Sequence, residues 1–157
     1  MSAAPKHNDR MSEVEVPSLL PLAVRARLAR ARRLTTPCGD GHIVWHAWEP
    51  EGGRCAGVAP LVLFHGGSGS WTHWVRNIHD LEDSGREVWV PDLPGFGDSA
   101  APPAGGDADA LVEPLAEGLR TLFGPRPCDL VGFSFGGLTS GLLLAAHPEV
   151  ARQLVLV

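Results

Sequence analysis

The chain has 157 residues, of which 44% are hydrophobic and 20% are charged, and its formal net charge is −5. This length supports one domain with its own core and is too short for two ordinary domains. An acidic chain whose single lysine is Lys6 carries no basic surface for nucleic acid, so nucleic-acid binding is excluded as a leading function.

The cysteines and the first residues indicate the cellular compartment. Cys38, Cys55 and Cys128 are an odd number without C-x-x-C spacing, which predicts free thiols rather than disulfides or a zinc site. No apolar stretch approaches the ~20 residues needed to cross a bilayer. The polar residues 1–17 do not resemble a signal peptide, and they predict a disordered tail. We therefore expect a cytoplasmic protein that does not enter membranes.

Residues 18–34 alternate small and apolar residues with five arginines, which predicts a short basic lead-in helix over about residues 18–32, beginning near Pro21. A surface helix is favoured over a membrane-binding helix because its apolar face is mostly small.

A turn signal at residues 38–41 separates two extended stretches, 33–36 and 42–48, and predicts a β-hairpin. His42 and His46 share one face of the second strand, where a metal pair is conceivable. Because no third ligand lies nearby, the preferred interpretation is a half-exposed strand face, and no metal site is predicted.

Two units of strand, loop and helix follow the polar loop 49–60. The continuous apolar run 60–65 predicts a strand buried on both faces. A glycine-rich loop at 66–70 leads into a predicted helix over 71–84. The next strand covers 86–90 and ends in a loop over 91–106, whose prolines and glycines exclude regular structure.

The last third of the chain continues this alternation. Asp107 or Asp109 is expected to cap a helix that runs to Phe123. A strand over 128–133, a helix over 138–146 and a strand over 150–157 complete the pattern. The alternation predicts an α/β fold with a mostly parallel sheet of about six strands, helices on both faces and an N-terminal hairpin.

Ser134 stands between the predicted strand 128–133 and the following helix. A serine that projects its hydroxyl from such a sharp turn needs an unfavourable φ. Side chains two residues before and two residues after it would collide with the crossing backbone, which explains Gly132 and Gly136. The pattern predicts a nucleophilic serine.

Acyl-transfer chemistry also needs backbone N–H groups that stabilise an oxyanion. The N–H of Phe135, directly after the serine, is one candidate, and that of Gly67, in the loop after strand 60–65, is the second. A phosphate site is disfavoured because loop 66–70 lacks a following Gly-Lys-Ser/Thr, and residues 95–97 lack the third glycine of a dinucleotide fingerprint. No cofactor is predicted.

Three motifs in order resemble the alpha/beta-hydrolase superfamily: His65-Gly66-Gly67, Asp92 to Ser99, and Gly132 to Gly137. The resemblance covers residues 33–157 and is closest to meta-cleavage-product hydrolases and bacterial esterases. It implies that Ser134 is the nucleophile and that Gly67 is an oxyanion donor. It also implies a small-molecule substrate with an ester, thioester or carbon–carbon bond beside a carbonyl.

The resemblance assigns structural roles to three other polar residues. His65 is structural in this family rather than a general base, and Asp92 and Asp98 are interpreted as carboxylates that stabilise their turn. Branches that open epoxides use an aspartate nucleophile, which the serine at position 134 disfavours.

In this superfamily the catalytic acid and histidine follow the serine in chain order. Only His147 and Glu149 follow it here, both at the end of the helix predicted over 138–146, and neither is placed to deprotonate Ser134. We therefore expect an incomplete hydrolase fold that is inactive alone and has an exposed apolar edge near Val157 that self-associates or binds a complementing chain. The alternatives are a truncated fragment that acts as a binding module and one half of a split enzyme.

Overall fold

The computed structural model describes residues 20–157, and the tail predicted over residues 1–17 lies outside them. The strands are β1 (Arg32–Cys38), β2 (Gly41–Trp48), β3 (Leu61–Phe64), β4 (Val88–Pro91), β5 (Cys128–Gly132) and β6 (Ala151–Leu156). They form one sheet in the order β1-β2-β4-β3-β5-β6. Strand β2 pairs antiparallel with β1 and β4, and the remaining pairs are parallel. The predicted mostly parallel sheet of about six strands with an N-terminal hairpin is confirmed.

Helices cover both faces of this sheet. They are α1 (Leu22–Arg30), α2 (Ile78–Asp83), α3 (Val112–Phe123) and α4 (Phe135–Ala146), with 3₁₀ turns at Trp71–Trp74, Ala108–Leu111 and Pro148–Val150. Helices α3 and α4 pack on one face around Trp45, Phe64 and Leu130. Helices α1 and α2 pack on the other face around Trp48, Leu63 and Val90.

Strand β2 lies inside the sheet and has a core on each face, so the prediction of a half-exposed strand face is wrong. Residues 43–48 are all buried. His42 is exposed at the start of the strand, whereas His46 is 2% exposed and packs against the rings of Trp48 and Trp71. Burial lowers the pKa of His46, so its imidazole is a neutral core residue.

The helix predicted over 71–84 is divided. A 3₁₀ turn covers Trp71–Trp74, and α2 begins only at Ile78. The first piece is a 3₁₀ turn that is closed by i→i−3 backbone hydrogen bonds. At its start the Ser70 hydroxyl accepts the Thr72 N–H and Asp92 accepts the Trp71 N–H. Both pieces still direct apolar side chains into the core beneath α1 and α2.

The starts of helices α3 and α4 differ from the predicted ones. Asp107 precedes the 3₁₀ turn at residues 108–111, but its side chain makes no cap hydrogen bond. Helix α4 begins at Phe135 rather than at residue 138.

All three cysteines are free, as predicted. Within residues 20–157, no helix is long and apolar enough to cross a membrane.

Candidate functional site

Ser134 occupies a sharp turn between β5 and α4, which we call the elbow. Its φ of 52° and ψ of −114° lie in a region that non-glycine residues avoid, at a cost of about 1–3 kcal/mol. Two flanking hydrogen bonds hold this turn: Ser134 donates its N–H to the Val157 carbonyl at 3.0 Å, and Val157 donates to the Gly132 carbonyl at 2.9 Å. The serine is exposed, so its hydroxyl is accessible from solvent.

Gly132 and Gly136 lie where backbone segments cross. A Cβ on Gly136 would be 2.5 Å from the carbonyl oxygens of both Phe64 and His65. A Cβ on Gly132 would be 2.6 Å from the Gly136 carbonyl oxygen. Neither position has room for a side chain, so the close contact of β3, β5 and α4 requires both glycines.

The loop after β3 lies directly against the elbow. An added Cβ on Gly66 would be 3.5 Å from Ser134 Cβ, and one on Gly67 would be 3.7 Å from Phe135 Cβ. Among the hydrogen bonds of residues 20–157, the N–H groups of Gly67 and Phe135 have no acceptor. The structure therefore brings together the three residues that the sequence analysis selected for acyl transfer.

His65 orients the loop that contains Gly67. Its Nε2 accepts the Leu93 N–H at 2.9 Å, so the ring proton lies on Nδ1, which donates to the Gly66 carbonyl at 2.8 Å. Burial lowers the pKa of His65 and keeps the ring neutral. The Gly66 C=O and the Gly67 N–H belong to the same trans peptide group and point in opposite directions. The hydrogen bond from His65 to the Gly66 carbonyl therefore turns the Gly67 N–H away from His65. The residue is structural rather than a general base.

Asp92 ties the loop after β4 to the first turn after β3. Its two carboxylate oxygens accept the N–H of Trp71 at 2.8 Å and of Asp98 at 3.0 Å. An added Cβ on Gly97 would be 2.4 Å from Asp92 Cγ, so this turn also requires a glycine. Asp98 differs from its predicted role, because its exposed carboxylate accepts no hydrogen bond in the described part of the chain.

His147 and Glu149 lie at the opposite end of α4 from Ser134. A helix of 12 residues is roughly 18 Å long. Arg120 donates to His147 Nδ1 at 2.9 Å and to Glu149 at 2.5 Å, and His147 Nε2 contacts Glu113 at 2.8 Å. These hydrogen bonds, together with the distance, keep both side chains away from Ser134.

One cluster has the composition of a metal site. The ligand atoms of His79, Glu82 and Asp83 lie within 4.8 Å of one another. Arg30 Nη2 lies 2.5 Å from Glu82, and His79 lies 3.5 Å from Asp83. Arg30 offsets the charge of Glu82, the one buried carboxylate of the three, and we assign no metal to the cluster.

His73, which no pattern in the sequence indicated, lies at the rim of the serine site. Its Nδ1 accepts the Gly66 N–H at 3.2 Å, and its ring packs edge-on against Phe133. The only signal was a histidine seven residues after Gly66, in a segment interpreted solely by its helical spacing.

Comparisons with known proteins give a consistent family. A family model described as alpha/beta hydrolase fold matches residues 59–157. Pimeloyl-(acyl-carrier protein) methyl ester esterase of Aeromonas hydrophila is 36% identical over 97 residues, which are 62% of this chain and 36% of that protein. The 2-hydroxymuconate semialdehyde hydrolase of Pseudomonas sp. (strain CF600) is 38% identical over 102 residues, which are 62% of this chain and 35% of that protein.

Solved structures agree on the fold. A bacterial membrane phospholipase A superposes with a TM-score of 0.69 and 30% identity, covering 85% of this chain and 42% of that chain. The Vigna radiata epoxide hydrolase VrEH1 superposes with a TM-score of 0.68 at 23% identity, covering 82% of this chain and 40% of that one. The chain thus spans about two fifths of the length of these proteins.

Proposed function

The chain belongs to the alpha/beta hydrolase family, and on that premise we propose that it forms the N-terminal part of a serine hydrolase. The Ser134 hydroxyl oxygen attacks the carbonyl carbon of a substrate and displaces the group that is joined to it through an ester, thioester or carbon–carbon bond. Its proton passes to a base outside residues 1–157 and then to the leaving group. Water hydrolyses the resulting acyl-enzyme and restores the serine.

The observation that supports this proposal is the contact of the loop after β3, at Gly66 and Gly67, with Ser134 and Phe135. An added Cβ on Gly67 would contact Phe135, the residue directly after the serine, and neither backbone N–H has an acceptor among the described residues. Two such donors stabilise the oxyanion that forms during attack, and each contributes a factor of about 10²–10³ to the rate. Ser134, Gly67 and Phe135 are therefore the proposed catalytic groups, held in place by Gly132 and Gly136.

The substrate is proposed as a small acyl or carbonyl compound. The two relatives described above are an esterase and a semialdehyde hydrolase by name. We propose no cofactor, since the serine, a base and the two N–H groups suffice for acyl transfer. A cytoplasmic location is part of the same proposal.

The isolated chain is expected to react slowly with a fluorophosphonate, because no side chain among residues 20–157 accepts a hydrogen bond from the Ser134 hydroxyl, and His65, His73 and His147 bond to other groups. The product of the complete reading frame is expected to label stoichiometrically, and Ser134→Ala is expected to abolish that labelling. Gel fluorescence of the three proteins measures both effects.

Rapid labelling of the isolated chain that Ser134→Ala removes would contradict the expected inactivity of the fragment. If the complete product is well folded and does not label, the assignment of Ser134 as nucleophile is wrong.

A second function, as a binding module or one half of a split hydrolase, is supported by the surface around β6. Leu138, Val155, Leu156 and Val157 are 54% to 67% exposed. In the described part of the chain no strand pairs with the outer edge of β6. Exposed apolar side chains beside unpaired backbone favour association with a second copy or a complementing chain.

Leu156→Asp is expected to reduce self-association of the purified chain, since it places a charge in the exposed apolar surface at β6. Light scattering over a concentration series measures the change. Leu22→Asp is the matched control, because Leu22 is 79% exposed on α1, away from β6. Equal masses for the Leu156→Asp and unaltered chains at every concentration would exclude this surface as the contact.

A further inference from the structure

His73 holds the peptide group that precedes the loop glycines. Its Nδ1 accepts the Gly66 N–H at 3.2 Å, so a neutral ring keeps its proton on Nε2. On the other side of the same glycine, His65 Nδ1 donates to the Gly66 carbonyl at 2.8 Å. The N–H and C=O of Gly66 are thus each held by a different imidazole, and both peptide planes that meet at Gly66 are constrained.

The loop is built to accommodate the His73 ring. An added Cβ on Gly69 would be 2.2 Å from His73 Cε1 and 2.5 Å from Nε2. The φ of Gly69 is not in the left-handed region, so the need for glycine there is steric. Gly69 therefore leaves the space that the imidazole occupies.

His73 is also linked to the elbow through Phe133. The two rings meet edge to face with centroids 5.9 Å apart. An added Cβ on Gly66 would be 2.9 Å from two Phe133 ring atoms and 3.5 Å from Ser134 Cβ. Gly66 is consequently enclosed by His73, Phe133 and Ser134, and a rotation of its peptide groups would change the position of the next N–H, that of Gly67.

We infer that His73 is a positioning residue for the oxyanion hole: its Nδ1 fixes the Gly66 N–H, and thereby directs the Gly67 N–H toward the oxygen of an acyl group on Ser134. This inference rests on the proposed function, because it takes the Gly67 N–H as an oxyanion donor. His73 acts through the loop and does not transfer the proton itself.

The test compares three variants in the product of the complete reading frame, with p-nitrophenyl acetate as substrate. His73→Phe keeps a ring and removes the acceptor, and it is expected to lower kcat about 10- to 100-fold with little change in KM. His73→Asn supplies a carbonyl oxygen near the position of Nδ1 and is expected to recover most of the loss. Gly69→Ala displaces the ring and is expected to resemble His73→Phe, and the two losses are not expected to add.

Gly52→Ala is the matched glycine control, since nothing lies within 4 Å of its added Cβ. Equal losses in His73→Phe and His73→Asn would assign His73 to packing alone and overturn the inference. Unchanged kcat in His73→Phe would overturn it as well. If His73→Phe does not fold, the kcat of Gly69→Ala is measured in its place, and an unchanged kcat would overturn the inference.

Amide exchange separates this inference from the proposed function. In the 157-residue chain, the Gly66 N–H is expected to exchange at least about tenfold faster in His73→Phe than in the unaltered chain or in His73→Asn. If the unaltered complete product hydrolyses no ester, the proposed function fails, and the Gly66 exchange rates still decide whether His73 holds the loop. Identical exchange rates in all three chains would overturn the inference.

Discussion

Gly136→Ala is expected to abolish the native fold or to lower its free energy of unfolding by more than about 4 kcal/mol. The new Cβ would lie 2.5 Å from the carbonyl oxygens of Phe64 and His65, and both are backbone atoms. Phe64 belongs to β3, which pairs with a strand on each side and cannot move without breaking the sheet. Urea unfolding followed by tryptophan fluorescence measures the loss.

Gly141→Ala is the control in the same helix. Nothing lies within 4 Å of its added Cβ, and alanine is a better helix former than glycine. We expect Gly141→Ala to leave the free energy of unfolding unchanged or to raise it by up to about 1 kcal/mol. Similar losses in both variants would mean that glycine is not required by the crossing at Gly136.

Asp129→Asn is expected to lower the free energy of unfolding by about 2 kcal/mol at neutral pH, between the values for exposed and buried ion pairs. The Asp129 carboxylate is 8% exposed at the start of β5. Arg152 Nε donates to one of its oxygens at 2.6 Å, and Arg86 donates to the other. Loss of the charge leaves β5 and β6 without this bridge.

The pH dependence of that difference follows from the pKa of Asp129. Hydrogen bonds from Arg152, and then from Arg86, lower it below its ordinary value. The charged carboxylate therefore stabilises the folded chain fully above the unfolded pKa of about 3.9. The stabilisation is lost as the pH falls through the folded pKa.

We expect the difference between the unaltered chain and Asp129→Asn to be constant from neutral pH to about pH 5 and to decrease below about pH 4. Urea unfolding at several pH values measures it. Asp98→Asn is the control, because that carboxylate is exposed. A constant difference down to the acid limit would show that Asp129 does not stabilise through its charge.

The sequence predicted the sheet and the elbow because each has a strong local signal. Buried parallel strands are continuous apolar runs, as in residues 61–64 and 128–132. The backbone crossing at Ser134 leaves no room for side chains at Gly132 and Gly136, and the sequence alone shows that both positions are glycine.

The predictions that failed depended on contacts between distant segments. Burial of His46 arises because β4, more than 40 residues later, pairs with β2 and α1 covers it, so no local pattern could indicate it. The first turn of the segment 71–84 is likewise held from a distance, because Asp92, 21 residues later, accepts the Trp71 N–H.

His73 escaped detection for a related reason. Its role depends on a hydrogen bond to Gly66 and on the space left by Gly69, and neither contact has a period or a motif. Positioning residues of this kind become visible only when the loop conformation is known.

The two hydrogen bonds between Val157 and the elbow set an order of events during synthesis. Ser134 donates its N–H to Val157, and Gly132 accepts the N–H of Val157. Val157 is translated 23 positions after the serine. Chains fold as they emerge, from the N-terminus onward. While the ribosome still covers Val157, the turn at Ser134 lacks the bonds that hold its strained φ, so this turn is completed only after β6 has left the exit tunnel.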